Sequence, residues 1–113
     1  MTRVRLPDRR PAETVQLEYG GTRFMITVGF YPDGRPGEVF THGARSGSNL
    51  DAVLADACVV VSCLMQHSVQ PADLAASMGR LGNAEPASII GAVVDLVATS
   101  SAARQQSVPE ANV

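Results

Sequence analysis

The sequence predicts an α+β domain: a three-stranded antiparallel sheet followed by three helices packed on one of its faces. Three observations carry that reading. Residues 14–31 alternate apolar and polar side chains around a Gly-Gly pair, the pattern of a half-buried hairpin. A Pro/Gly-rich stretch, Pro32-Asp33-Gly34-Arg35-Pro36-Gly37, then turns the chain into a third strand. From Ser48 onward the apolar period changes from two to three and four, which is helical.

Taken in order, residues 1–13 (MTRVRLPDRRPAE) form an Arg- and Pro-rich arm, read as extended or mobile. The first strand, 14–19, sets Val15, Leu17 and Tyr19 against Gln16 and Glu18. Gly20-Gly21 supplies the positive φ that a primed turn demands. The second strand, 22–31, puts Phe24, Ile26, Val28 and Phe30 on one face and Met25, Thr27, Gly29 and Tyr31 on the other. The third strand is 38–42, and Gly43 to Gly47 leads into the central helix, 48–67. Ser48 is placed to cap that helix, with Asp51 completing a capping-box-like pair at its positive end. Leu50, Val53, Leu54, Ala57, Val60, Val61 and Leu64 recur at helical spacing, so Val60 is expected in the core, where an aspartate would unfold the chain. The run from Ala57 to Met65 is apolar almost all round, and Asp51 and Asp56 break it well short of the roughly 18 residues of a membrane span.

After a break at Ser68-Val69-Gln70, Pro71 opens a short helix, 71–79, carrying Leu74 and Met78. Glu85-Pro86 opens a third, 86–98, with a stripe of Ile89, Ile90, Val93, Val94 and Val97. Residues 99–113 lose the period and are read as a flexible tail behind a single domain, 14–98.

Composition narrows the function classes. The chain has 113 residues, 45% of them hydrophobic, and a net charge of −2, which gives no general pull toward nucleic acid or an anionic membrane. All nine basic residues are Arg, a usage that fits a GC-rich bacterial genome, and four of them lie in the first ten residues without interleaved aromatics. Cys58 and Cys63 are five apart on one helix, roughly 140° around its axis, so they do not pair and read as core thiols of a reducing cytoplasm. His42 and His67 lack a further Cys or His at ligand spacing, so no metal site and no cofactor are expected.

Several strings together resemble one family. They are Leu6-Pro7-Asp8-x-Arg10, then Ile26-Thr27-Val28-Gly29-Phe30-Tyr31-x-Asp33-Gly34-Arg35-Pro36-Gly37-Glu38-Val39-Phe40, then Gly47-Ser48 before a long helix. This pattern resembles the TSCPD domain at the C-terminus of vitamin B12-dependent (class II) ribonucleotide reductases, from about residue 3 to residue 98. The Thr-Ser-Cys-Pro-Asp string itself is replaced by Asn83-Ala84-Glu85-Pro86-Ala87, and the family's Cys-x-x-Cys segment is missing. The resemblance implies kinship with an enzyme whose chemistry needs cobalamin, a thiyl cysteine and a catalytic barrel. Cys58 and Cys63, mid-helix in apolar surroundings, do not substitute for these. By itself the chain is therefore expected not to reduce ribonucleotides.

Two functional expectations follow. In the first, the chain is a protein-interaction or oligomerisation module, linked to deoxyribonucleotide synthesis and forming a homodimer or a complex with a reductase. The sheet face away from the helices, with Met25 and Tyr31, and the turn residues Arg35 and Glu38 are its candidate contacts. In the second, it is a regulatory domain holding a phosphate or nucleotide at Arg45, Ser46, Gly47, Ser48 and Asn49, where a Gly-rich loop meets free helix-start N–H groups. Asp51 competes for that positive end and argues against the second reading.

Overall fold

The computed structural model describes residues 2–42 and 49–107, the last five as backbone alone. Strands β1 (Ala12–Tyr19), β2 (Thr22–Phe30) and β3 (Pro36–His42) form one antiparallel sheet in the order β1-β2-β3. Helices α1 (Asn49–Gln66), α2 (Pro71–Ser77) and α3 (Ile89–Ser107) follow, so the architecture is the expected α+β one.

The hairpin closes as its residues demand. Gly20 (φ 59°) and Gly21 (φ 79°) both occupy the left-handed region, and Tyr19 pairs with Thr22 across them. From that register, Ile26, Val28 and Phe30 point to the helices and are fully buried, joined there by Val39. Strands β1 and β3 each begin two residues before their expected starts, and β2 ends at Phe30, where the pairing with β3 shifts register.

Helix α1 packs beside β3 through a polar line. Ser62 Oγ accepts the Val39 N–H at 2.9 Å, and its one proton lies between the Cys58 carbonyl of its own helix at 2.8 Å and the Val39 carbonyl at 3.2 Å, so the hydroxyl reaches both outward groups of an edge-strand residue. One turn on, Gln66 Nε2 donates to the Gly37 carbonyl at 2.9 Å. With Ser62 and Gln66 aimed at the β3 edge, the residues turned into the core are Leu54, Cys58, Val61 and Met65. The sequence expectation for this helix is thereby corrected: Val60, Leu50 and Val53 are exposed, and Val60 is not a core residue. Apolar residues nearly encircle α1, so spacing alone admits two stripes, and the polar pair selects between them.

The helix ends in a Schellman motif, with Val69 N–H donating to the Leu64 carbonyl and Ser68 N–H to that of Met65. Ser68 takes the left-handed position (φ 71°) usually given to glycine. By length and composition α1 would be long and apolar enough to cross a membrane; here one side of it is packed into the core.

Helix α2 stops at Ser77, two residues before its expected end. Helix α3 starts at Ile89 rather than 86, because Glu85 and Pro86 belong to a tight loop: the Leu81 N–H bonds the Glu85 carbonyl, and Arg80 bridges Pro86. Ser88 Oγ accepts the Gly91 N–H and caps the helix. Val93, Val94 and Val97 are fully buried against the sheet. The helix continues to Ser107, past the expected end at 98, with Ser101 still buried. Residues 99–107 are thus helical rather than tail, since Ala, Arg and Gln are good helix formers whatever their lack of apolar period. Arg80 ties α3 to α2 by a two-point pair with Asp95 (2.6 and 2.7 Å) and a bond to the Ala75 carbonyl.

Two outcomes follow. Ser62→Ala strands the Val39 amide and carbonyl and should lower unfolding free energy by about 1–3 kcal/mol in urea titration, while Phe30→Ala should cost about 3–5 kcal/mol. The Arg80 guanidinium holds the Asp95 carboxyl below the usual carboxylate range. Its stabilisation is therefore present above the unfolded-state pKa and is lost as pH falls through the depressed folded value. Asp95→Asn should cost roughly 0.2–1 kcal/mol at neutral pH, given the pair's partial exposure, and the difference from the wild type should shrink steadily on acidification.

Candidate functional site

The chemistry-bearing residues gather where the N-terminal arm crosses the β2–β3 turn. The arm is extended, as its Pro and Arg content suggests, but it is held along its length. Val4 N–H donates to the Gln66 carbonyl, Arg3 Nε donates to Gln66 Oε1 at 2.6 Å, and the Tyr31 hydroxyl donates to the Val4 carbonyl. Arg10 reaches Glu38 with two nitrogens (2.6 and 3.1 Å) and also bonds the Pro7 carbonyl. Bidentate guanidinium–carboxylate geometry is the strong form of such a pair.

The glycines of the hairpin string make this clamp fit. A Cβ at Gly29 would lie 2.3 Å from Glu38 Oε2 and 2.7 Å from its Cγ. One at Gly37 would lie 2.6 Å from the Tyr31 ring and 3.0 Å from Leu6. Gly34, at φ 94°, makes the turn itself, and Asp33 accepts both the Arg35 N–H and its guanidinium. The Arg35 guanidinium also lies over the Tyr31 ring, 4.8 Å from its centroid. Burial is the main reason the Tyr31 hydroxyl's pKa is raised. The strings Leu6-Pro7-Asp8-x-Arg10 and Gly29 to Glu38 are therefore one interlocked unit.

This decides what the expected contact residues are doing. Tyr31 is buried under the arm, Glu38 is taken by Arg10, and Arg35 is engaged by Asp33 and Tyr31. Met25 alone of the four leaves a large apolar side chain open, beside Phe40 on the outer sheet face. On that same face Thr14, Thr27 and His42 form a hydrogen-bonded line across all three strands, and the His42 ring meets Phe40 edge-on at 5.0 Å. Of the expected anion-binding residues, Arg45, Ser46, Gly47 and Ser48 lie outside the described residues; Asn49 is exposed at the start of α1.

Two recesses flank the clamp. One, of about 300 Å³, is lined by Arg3, Arg5 and Arg10 with Asp8 and Glu38 as counter-charges. The other, of about 260 Å³, runs between β3 and α1 and is lined by Phe40, Val59, Cys63 and the Cys58 side chain. Burial pushes the Cys58 thiol up to about 11, so it stays protonated at neutral pH. Among the described residues no three His, Cys, Asp or Glu side chains converge as metal ligands. What sequence reasoning missed is the outward side of α1, where Leu50, Val53, Val60 and Leu64 are exposed. Its signal was present as a second apolar line in the same helix.

Gly29→Ala should displace Glu38, release Arg10 and loosen the arm. Limited trypsin digestion should then cut the variant after Arg9 several-fold faster than the wild type. At mildly alkaline pH a maleimide should label Cys63 first and leave Cys58 unmodified in the folded protein, which mass spectrometry of the labelled peptides would show.

Comparison with known proteins agrees with the strings that form the clamp. The TSCPD domain family matches residues 2–111. Over 67 residues, or 59% of this chain, it is 39% identical to a vitamin B12-dependent ribonucleotide reductase of Rhodopirellula baltica. Over the same length it is 36% identical to that of Streptantibioticus cattleyicolor and 33% identical to that of Bradyrhizobium diazoefficiens. The matched stretch is 6%, 11% and 5% of those three proteins respectively, so the chain spans only a small part of the relatives' length. No solved structure matches. With the family's pattern covering nearly all of its length, this chain belongs to the TSCPD domain family.

Proposed function

We propose that this chain is an association domain linked to ribonucleotide reduction, working by binding protein rather than by transforming a substrate itself. The observation that carries this reading is the side of α1 away from β3, where Leu50, Val53, Val60 and Leu64 form an exposed apolar strip beside the core-facing line. Strips of this kind mark places where another protein packs. The site chemistry supports it from the other direction. The residues that resemble the reductase pattern are spent on holding the arm to the hairpin, and Cys58 is a protonated core thiol. The similarity to vitamin B12-dependent ribonucleotide reductases supplies the biochemical setting, as a stretch within much longer chains.

The rival reading is a phosphate or nucleotide held at Arg45–Asn49. One experiment separates the two. The purified chain is mixed with a vitamin B12-dependent ribonucleotide reductase in sedimentation velocity, with and without nucleoside di- and triphosphates, and turnover is assayed for the chain alone with cobalamin and a dithiol. The expected outcome is co-sedimentation independent of nucleotide and no turnover by the chain alone. Turnover by the chain, or a nucleotide-dependent melting shift without association, would overturn the association reading.

A further inference from the structure

Helix α1 carries two apolar lines, and among the described residues only one is packed into the core. Leu54, Cys58, Val61 and Met65 face the core. Leu50, Val53, Ala57, Val60 and Leu64 form the other, at successive spacings of three, four, three and four. Leu50, Val53, Val60 and Leu64 are 52%, 56%, 58% and 36% exposed, far from the buried state of their counterparts one position along. At about 100° per residue, this line lies roughly opposite the Ser62–Gln66 side that meets the β3 edge. Val59, equally exposed at 59%, is on the β3 side and is not part of it.

The line repeats the four- and three-residue spacing of the core line on the same helix, so it is as regular an apolar face as the one the sheet covers. The chemistry beside it argues against a lipid surface. Interfacial helices are rich in Lys and Arg on their polar side, whereas α1 has neither, and its charged residues are Asp51 and Asp56. The area suits a copy of the same seam. The exposed side chains offer on the order of 350 Å² of apolar surface, within the range of the largest patch on a monomer. Two copies would bury about 700 Å², which is the non-polar share of an interface of about 1,200 Å², the lower end of the standard size. Ala57, at the centre of the line, leaves room for close approach of two helices.

We infer that a second copy of this chain covers the seam, α1 against α1 about a two-fold axis. Such an interface is isologous: the same strip serves both partners and the assembly closes at two. This rests on the association reading above and names the partner of that same surface.

The test is sedimentation equilibrium of the full chain from about 1 to 100 µM, for wild type, Val60→Asp, the milder pair Val53→Ser with Val60→Ser, and Val59→Asp. The wild type should be a dimer. Val60→Asp and the serine pair should weaken self-association by at least about 100-fold, since each places a polar group in the seam, with helical circular dichroism retained. Val59→Asp, an equal change on the other side of the helix, should dimerise as the wild type does. A monomeric wild type at 100 µM would overturn the inference, as would dimers of the serine pair at wild-type strength. If Val60→Asp fails to fold, the serine pair decides. A monomer that still co-sediments with a reductase would refute the second copy and leave the association reading standing. A dimer that ignores the reductase would do the reverse.

Discussion

The hydroxyl of Ser62 holds this fold in its arrangement. A three-stranded sheet has two edges, and each edge residue whose amide and carbonyl point outward needs a partner or water. At Val39 the partner is a helix side chain, which accepts from the amide and shares its proton between the Val39 carbonyl and the Cys58 carbonyl of its own helix. That geometry sets the rotation of α1 about its own axis, and everything α1 touches follows from the rotation. Leu54, Cys58, Val61 and Met65 enter the core because Ser62 and Gln66 face the strand. Had the helix turned by a quarter, the seam residues would fill the core equally well by hydrophobicity, but Val39 and Gly37 would lose their partners.

Gln66 extends the same constraint to the N-terminal arm. It is buried and joins two segments: its side-chain nitrogen donates to Gly37 on β3, while its side-chain oxygen and backbone carbonyl accept from Arg3 and Val4 of the arm. The arm in turn covers Tyr31 and delivers Arg10 to Glu38. A buried polar group held by bonds to two segments favours one arrangement, because slippage leaves a desolvated donor or acceptor. The small residues of the hairpin string in this chain are thereby accounted for. Gly29 and Gly37 are small because Glu38, Tyr31 and Leu6 occupy the space a Cβ would need.

The sheet was legible in the sequence because its signals are local. Period-two alternation, Gly20-Gly21 and the Asp33-Gly34 turn each act over a few residues, and the strands lie where those signals put them. The clamp was legible as a pattern but not as a structure. Tyr31 and Glu38 read as open contact residues because their partners, Val4 and Arg10, lie 27 and 28 positions away. The burial of α1 was misread because apolar residues nearly surround it. Two polar residues four apart, Ser62 and Gln66, held the answer, since a polar pair on so apolar a helix must meet hydrogen-bonding groups of its own. Helix α3 outran its expected end because its last turns are built from helix formers without an apolar period, and spacing is blind to those.

The placement of the second apolar line has a thermodynamic consequence. It lies on the side of α1 away from β3, so it shares no side chain with the core line or with the Ser62–Gln66 pair. If a partner packs there as proposed, association and folding of the domain are separate equilibria, coupled by mass action and not by shared contacts. On that proposal, substitutions along the seam would change association while the sheet, the edge cap and the clamp stay as they are. The converse does not hold. Losing the edge cap frees α1 to rotate, and the strip it presents rotates with it.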